Sequence, residues 1–331
     1  MIAIPYGKGH LDVTFPYNGL LTSRVDELKS DRTGRELVEE AMASPMGTPG
    51  LAALAAGKKR CTIIISDHTR PVPSRDILPP MLAQLRQGNP EIRVTLLVAT
   101  GFHRLTTTAE LEAKLGKEIA GSEKIVVHDA FDPESNVQIG VLPSGAPLVI
   151  DRTAVDTDLL IAEGFIEPHF FAGFSGGRKS IVPGIAGMQT ICRNHAYSLD
   201  PERLRSNPRI GNGVLEDNPL NEDMCEAAGM MKALFMVNLV MNARMKLSSI
   251  FSGHYLTSWL RACREVDRIY RVDVPERADV VIASCGGYPK DMSLYQGTKT
   301  IDNVESGLKP GGTLILLIEA RDGGGHPEYF D

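Results

Sequence analysis

Between Glu167 and His195 the chain reads EPHFFAGFSGGRKSIVPGIAGMQTICRNH, gathering His169, Arg178, Lys179 and His195 around a Gly176-Gly177 turn. Clustered glycines predict a close approach to the backbone, because glycine inside a regular element costs stability that a contact must offset. Arg178 and Lys179 attract an anion, and His169 and His195 suit proton transfer or metal ligation. In so glycine-rich and partly apolar a setting, Lys179 also suits a nucleophilic amine kept neutral by burial; plain phosphate binding is the alternative. Three other clusters carry chemistry. Asp67, Thr69 and Arg70 lie within SDHTRP, where the arginine fork fits a carboxylate or phosphate, or else closes a salt bridge with Asp67. His103, between Gly101 and Arg104 in TGFHR, is a proton-transfer candidate or a loop cap. Gln296 and Lys299 stand one helical turn apart and point the same way, unless they are an ordinary solvated helix start. His68 reads as a turn residue beside more interesting neighbours. His10, His128, His254 and His326 have no supporting context and read as structural or surface residues.

Three familiar motifs fit poorly. Gly173-Phe174-Ser175-Gly176-Gly177 matches G-x-S-x-G, which signals a nucleophilic serine only on a tight strand-to-helix turn, and Pro168 interrupts the approach. The same stretch approaches a phosphate-binding loop, but Arg178 stands where the second glycine belongs. Phosphate cradling by backbone N–H groups stays open. His169 and His195 are too far apart for a helical metal pair.

The elements that must position these residues follow from periodicity. Residues 61–65 form a β-branched run, as in a strand buried on both faces, and 92–99 and 158–162 read as two more buried strands. Helices are expected over 31–42, over 74–87 with Ser74 as cap, and over 108–115, 219–231, 254–270 and 299–308. Shorter strands are expected near 2–6, 11–15, 125–128, 137–142, 148–150, 233–240, 279–284 and 313–318. Strands alternating with helices predict two α/β domains with mainly parallel sheets, 1–265 and 266–331, the second incomplete. Ligands of such sheets gather beyond the strand C-termini, where SDHTRP, TGFHR, the 167–195 segment and CGGYPKDMSLYQGTK all fall. Thirty-five basic against 41 acidic side chains exclude a general nucleic-acid or anionic-membrane binder. Five cysteines with no C-x-x-C pair, no visible secretion signal and no bilayer-length apolar run predict a soluble cytoplasmic protein.

Taken together, SDHTRP (66–71), TGFHR (100–104), HFFAGFSGGRKSIVPGI (169–185), Asn194-His195 and YQGTK (295–299) resemble the lactate racemase family. These are racemases and epimerases of 2-hydroxy acids that depend on a nickel pincer nucleotide. The resemblance implies a pyridinium-3-thioamide-5-thiocarboxylic acid mononucleotide holding nickel, linked covalently to Lys179, with His195 as the protein's ligand to the metal. It implies hydride departure from C2 to the cofactor, a planar 2-oxo acid, and hydride return to the other face. His103 and His169 would then be the two acid/bases, one for each enantiomer. Arg70, Gln296 and Lys299 would hold the substrate, with Tyr295 in the pocket wall. Asp67, Thr69, Ser175, Gly176 and Gly177 would lie against the cofactor or its phosphate. The implied partners are a small 2-hydroxy acid and cofactor maturation proteins, with the active site at the domain interface. Family members usually continue well past residue 331, which implies that part of the second domain and of the pocket wall is absent. Phe102 is expected to shape the substrate pocket, for lactate, malate, an aromatic hydroxy acid or a sugar acid. Two other classes remain: a serine hydrolase built on Ser175, and a non-catalytic nucleotide-binding protein using the glycine-rich loop.

Overall fold

Buried β-branched runs form the centre of the fold. In the computed structural model, which describes residues 1–325 except 18, 26, 27, 29, 233, 243, 244 and 289, they belong to one six-stranded sheet. His326, read above as a surface or structural residue, lies outside the described residues, as does residue 233 of an expected strand. The strands are β1 (Arg60–Ser66), β2 (Arg93–Ala99), β3 (Lys124–Val127), β4 (Leu159–Phe165), β5 (Leu234–Met241) and β6 (Leu247–His254). Their order is β6-β5-β4-β1-β2-β3; every neighbouring pair is parallel except β5 and β6. The fold is therefore α/β with a mainly parallel sheet.

Side chains alternate across the sheet with period two. Ile63, Ile65 and Ile161 face one core cluster, shared with α1 (Gly34–Ala43) and α2 (Ser74–Gly88). Ile64, Leu160 and Ala162 face the opposite cluster, shared with α4 (Met188–Ala196) and α5 (Pro219–Gly229). Between these in sequence, α3 (Thr108–Leu115) falls where expected. A third cluster gathers Ile166, Phe174 and Trp259, the last carried on α6 (Tyr255–Tyr270). Among the described residues no helix is long and apolar enough to cross a membrane.

Three local expectations are corrected. Helix α1 starts at Gly34, because Thr33 and Glu36 form a reciprocal capping box there. Ser74 is the first residue of α2 and not its cap; its hydroxyl donates to Glu163 Oε1 at 2.5 Å. Strand β6 was not expected, since LSSIFSGH has no sustained apolar run; its register comes from the antiparallel ladder with β5.

The described chain divides into two compact units, 24–270 and a second made of 1–23 with 271–331. The expected boundary after residue 265 falls inside α6, and the N-terminal segment groups with the C-terminal one. The second unit holds an antiparallel hairpin (Ile2–Tyr6 with Gly9–Val13) and the parallel pair β7 (Ala278–Ser284) and β8 (Leu308–Leu317). Helix α7 (Lys299–Val304) ends before the expected 308, passing into a single 3-10 turn.

His128, which has no sequence context, is fully buried. Its Nδ1 lies 3.0 Å from Asp151 Oδ2 and its Nε2 lies 3.0 Å from the Ala186 carbonyl. Replacing His128 with Ala strands a buried carboxylate and should cost about 3–5 kcal/mol. A urea denaturation midpoint that does not move would show that the pair contributes nothing.

Candidate active site

Three of the loops named above leave the C-terminal ends of adjacent strands β4, β1 and β2. At the end of β1, Asp67 is buried. Its Oδ1 accepts from the Thr69 hydroxyl at 2.7 Å and the Thr69 N–H at 3.1 Å, and its Oδ2 lies 2.6 Å from His103 Nδ1. Burial alone would raise the Asp67 pKa. The hydrogen bonds from His103 and Thr69, with the charges of His103 and Arg70, outweigh it and hold the carboxyl below the usual carboxylate range. So the hydrogen-bonded partner of Asp67 is His103, while Arg70 is exposed. Lys114 on α3 fixes the loop, donating from Nζ to the Arg70 and Val72 carbonyls at 3.1 and 3.3 Å. Phe102 stacks on Phe131 with ring centroids 5.6 Å apart, beside His103.

Following β4, the glycine-rich segment is packed by the core. Residues 168–169 and 173–174 form a two-residue antiparallel ladder, and Gly177–Ser180 is one 3-10 turn. Gly176 and Gly177 have φ of 62° and 52°. A Cβ on Gly177 would stand 2.3 Å from Trp259 Cδ1, and one on Gly176 would stand 2.4 Å from Ile166 Cδ1. The close approach inferred from these glycines is thus by core side chains. Ser175 Oγ donates to the Phe165 carbonyl at 2.6 Å and accepts from the Glu167 N–H at 2.8 Å. It staples the loop, and its proton is committed to a carbonyl where a nucleophile would need a base. Arg178, paired above with Lys179 as an anion attractor, is buried instead. It stacks 3.8 Å over the Trp259 ring and donates to the Phe174 and Ala172 carbonyls and to Asn221 Oδ1.

Lys179, by contrast, meets the histidines. Its Nζ lies 3.0 Å from His169 Nε2 and 4.9 Å from the Phe171 ring centroid. Phe171 in turn meets the His169 and His195 rings edge-on, at 4.4 and 4.9 Å. His195, in the last turn of α4, has its Nδ1 buried with no hydrogen-bond partner among the described residues. Burial, reinforced by the Lys179 charge, brings its pKa down to about 4, so the ring is neutral at neutral pH. A neutral buried imidazole with an unpartnered nitrogen is suited to ligate a metal. The His103 loop joins this group through Gly101, whose N–H donates to the Gly184 carbonyl at 3.0 Å; Gly184 N–H donates to the Lys179 carbonyl at 3.0 Å.

Tyr295, Gln296 and Lys299 belong to the other unit. Lys299 Nζ donates to Gln296 Oε1 at 2.9 Å and stands 5.4 Å from the Tyr295 ring centroid, so these three are together, on one side of a helical turn. Sequence reasoning missed Phe171 as the bridge between Lys179 and His195. It also missed Glu163, buried in β4 with Oε2 unpartnered among the described residues and its pKa pushed up by burial. An acidic residue inside LLIAEGF was the available signal.

Comparison with known proteins bears on all of this. A family model described as the lactate racemase N-terminal domain matches residues 6–206, and one described as the lactate racemase C-terminal domain matches 274–331. A lactate racemase of Thermoanaerobacterium thermosaccharolyticum is 44% identical, over 99% of this chain and 76% of that protein. One of Lactiplantibacillus plantarum is 40% identical, over 99% and 77%. The solved lactate racemase apoprotein from the first organism superposes with a TM-score of 0.92, covering 98% of this chain and 76% of that one. A Thermotoga maritima protein with a TM-score of 0.60 and 23% identity, covering 85% of this chain and 70% of its own, shares the fold alone.

The packed glycines make a direct prediction. Gly177→Ala adds both a left-handed alanine and an overlap with Trp259, and should cost about 2–4 kcal/mol. Ser175→Ala should cost about 1–3 kcal/mol by leaving buried backbone groups unpaired. Denaturant midpoints check both, and a fluorophosphonate probe should leave Ser175 unlabelled in the wild type.

Proposed function

The chain belongs to the lactate racemase family, and we propose on that premise that it interconverts the stereoisomers of a small 2-hydroxy acid using His103 and His169 as proton-transferring groups. It is an isomerase by kinship with curated lactate racemases over nearly its whole length. The observation that carries the proposal is the series His169, Lys179, Phe171, His195, which ends in a buried nitrogen without a partner.

We propose that Lys179 holds a nickel pincer nucleotide covalently and that His195 supplies the protein's ligand to the nickel. Among the described residues no group of three or more His, Cys, Asp or Glu is arranged to hold a metal ion. A metal here would arrive with ligands of its own, and one imidazole would complete its coordination. When bound, that group supplies a hydride acceptor and donor at C2 of the substrate. Thr69 and residues 175–177 are assigned to its protein-facing side.

The remaining work falls to this chain. Loss of hydride from C2 requires loss of the hydroxyl proton, and the two enantiomers present that hydroxyl differently, so two bases are needed. In one direction His103 takes the hydroxyl proton and His169 returns one to the product; in the other direction the two exchange roles. Arg70, exposed at the end of β1, offers a fork for the substrate carboxylate, and Gln296 and Lys299 offer an amide and a cation for the carboxylate and the 2-oxo group, with Tyr295 as apolar wall. Assembly of the cofactor is left to separate maturation proteins.

Co-expression with such maturation proteins tests this. Intact-mass analysis should show an adduct on Lys179, with nickel by elemental analysis. Lys179→Ala should lose both, and His195→Ala should keep the adduct but lower nickel occupancy and lose racemase activity. His103→Gln and His169→Gln should each lower kcat on lactate by roughly 10²–10⁴-fold. Full racemase activity in both the Lys179 and His195 variants would overturn the assignment.

A further inference from the structure

The geometry around His103 points to a role for Asp67. We propose that Asp67 is a positioning residue that holds His103 as the Nδ1–H tautomer, leaving Nε2 as the ring atom that exchanges protons with the substrate. The kinetic part of this inference rests on the function proposed above; the tautomer does not.

Donor and acceptor counts fix the state of the ring. Two donors from Thr69, the hydroxyl at 2.7 Å and the backbone N–H at 3.1 Å, occupy Oδ1 of Asp67. That fixes the carboxylate plane and turns Oδ2 toward Nδ1 of His103, 2.6 Å away. An ionised carboxylate can only accept, so Nδ1 must donate. A neutral imidazole carries one N–H, and Nε2 is then the free base. The carboxyl is held below the usual range despite its burial, which keeps it an acceptor across the neutral region.

Two features suit Asp67 to orienting rather than to binding an anionic cofactor. The carboxylate is 1% exposed while the imidazole is 44% exposed, so the anchor is inside and the working ring edge outside. A negative phosphate would also gain nothing from a buried carboxylate whose oxygens are already engaged. Arg104, whose charge also feels that carboxylate, is engaged elsewhere: it forks onto Glu110 at 2.9 and 2.5 Å. His169 is oriented by other groups, Lys179 Nζ at Nε2 and the Ala172 N–H at Nδ1, 3.4 Å away. The two acid/bases are therefore not equivalent.

Nitrogen-15 NMR of histidine-labelled protein, without cofactor, reads the tautomer directly, with His103→Gln identifying the signal. Wild type should show a protonated Nδ1 and an unprotonated Nε2. In Asp67→Asn the side-chain oxygen stays with the Thr69 donors, so the amide N–H faces Nδ1 and the ring proton moves to Nε2. The loaded Asp67→Asn enzyme should keep its Lys179 adduct, nickel and KM while kcat falls by roughly 10²–10⁴-fold, as when a triad aspartate is neutralised. Thr69→Val, which retains the carboxylate, should keep the wild-type tautomer in the cofactor-free protein. An unchanged tautomer in Asp67→Asn, or an unchanged kcat at full cofactor loading, would overturn the assignment. A tautomer switch in a fully loaded protein that racemises no 2-hydroxy acid would uphold Asp67 as the orienting group and overturn the function instead.

Discussion

Arg178 is buried with its guanidinium 3.8 Å over the ring of Trp259, and much of the site's local geometry follows from satisfying it. Burial brings its pKa down to about 10, which still leaves it charged at neutral pH. A cation in that position is tolerable only if each of its nitrogens finds an acceptor and the ring face adds its own attraction. The oxygens come from Ala172 and Phe174 in the turn and from Asn221 on α5, while Trp259 comes from α6. One side chain therefore draws together a loop and two helices. With Trp259 filling the space beside the turn, residue 177 cannot carry a Cβ. The glycines and the arginine are parts of one packing solution.

That solution separates two cations that are adjacent in sequence. Arg178 is directed into the core, and Lys179, on the same 3-10 turn, reaches His169. Arginine suits the first place because it stays charged and offers several donors in a plane; lysine suits the second because a single amine can be acylated. Exchange of the two would put a flexible point charge under Trp259 and a non-nucleophilic fork against His169. The order Arg-Lys is thus a structural requirement followed, in the proposed function, by a chemical one.

The sheet and its polar loops were legible in the sequence, because buried strands such as 61–65 are written as runs rich in β-branched residues and the polar clusters follow them directly. The partners of the chemical residues were not. Nothing in the spacing says that Asp67 faces His103 rather than Arg70, since that depends on β1 and β2 being neighbours in register. Residue types pair Arg178 with Lys179, but only packing against Trp259 tells their directions apart. The grouping of 1–23 with 271–331 was hidden for the same reason. It rests on contacts such as the Gly7 N–H to Asp291 Oδ2 at 2.7 Å, which join residues from opposite ends of the sequence. Strand β6 escaped because serines and a glycine break up its few apolar residues, so its ladder partner decides its structure.

In the proposed reaction the unlike surroundings of His103 and His169 are no defect. Enantiomers have equal free energy in water, so kcat/KM must be the same in the two directions whatever each base is bonded to. That equality constrains the ratio alone. A carboxylate behind one imidazole and an amine beside the other can still make the two bound complexes differ in stability, and then kcat and KM differ between enantiomers by compensating factors. Every turnover uses both rings, one as base and one as acid, so a protein gains nothing by making them identical. What it requires is that each ring present a defined nitrogen to the substrate. For His103 a buried, ionised Asp67 meets that requirement; His169, with the Ala172 N–H at Nδ1 and the Lys179 amine at Nε2, is tied instead to the residue proposed to hold the cofactor.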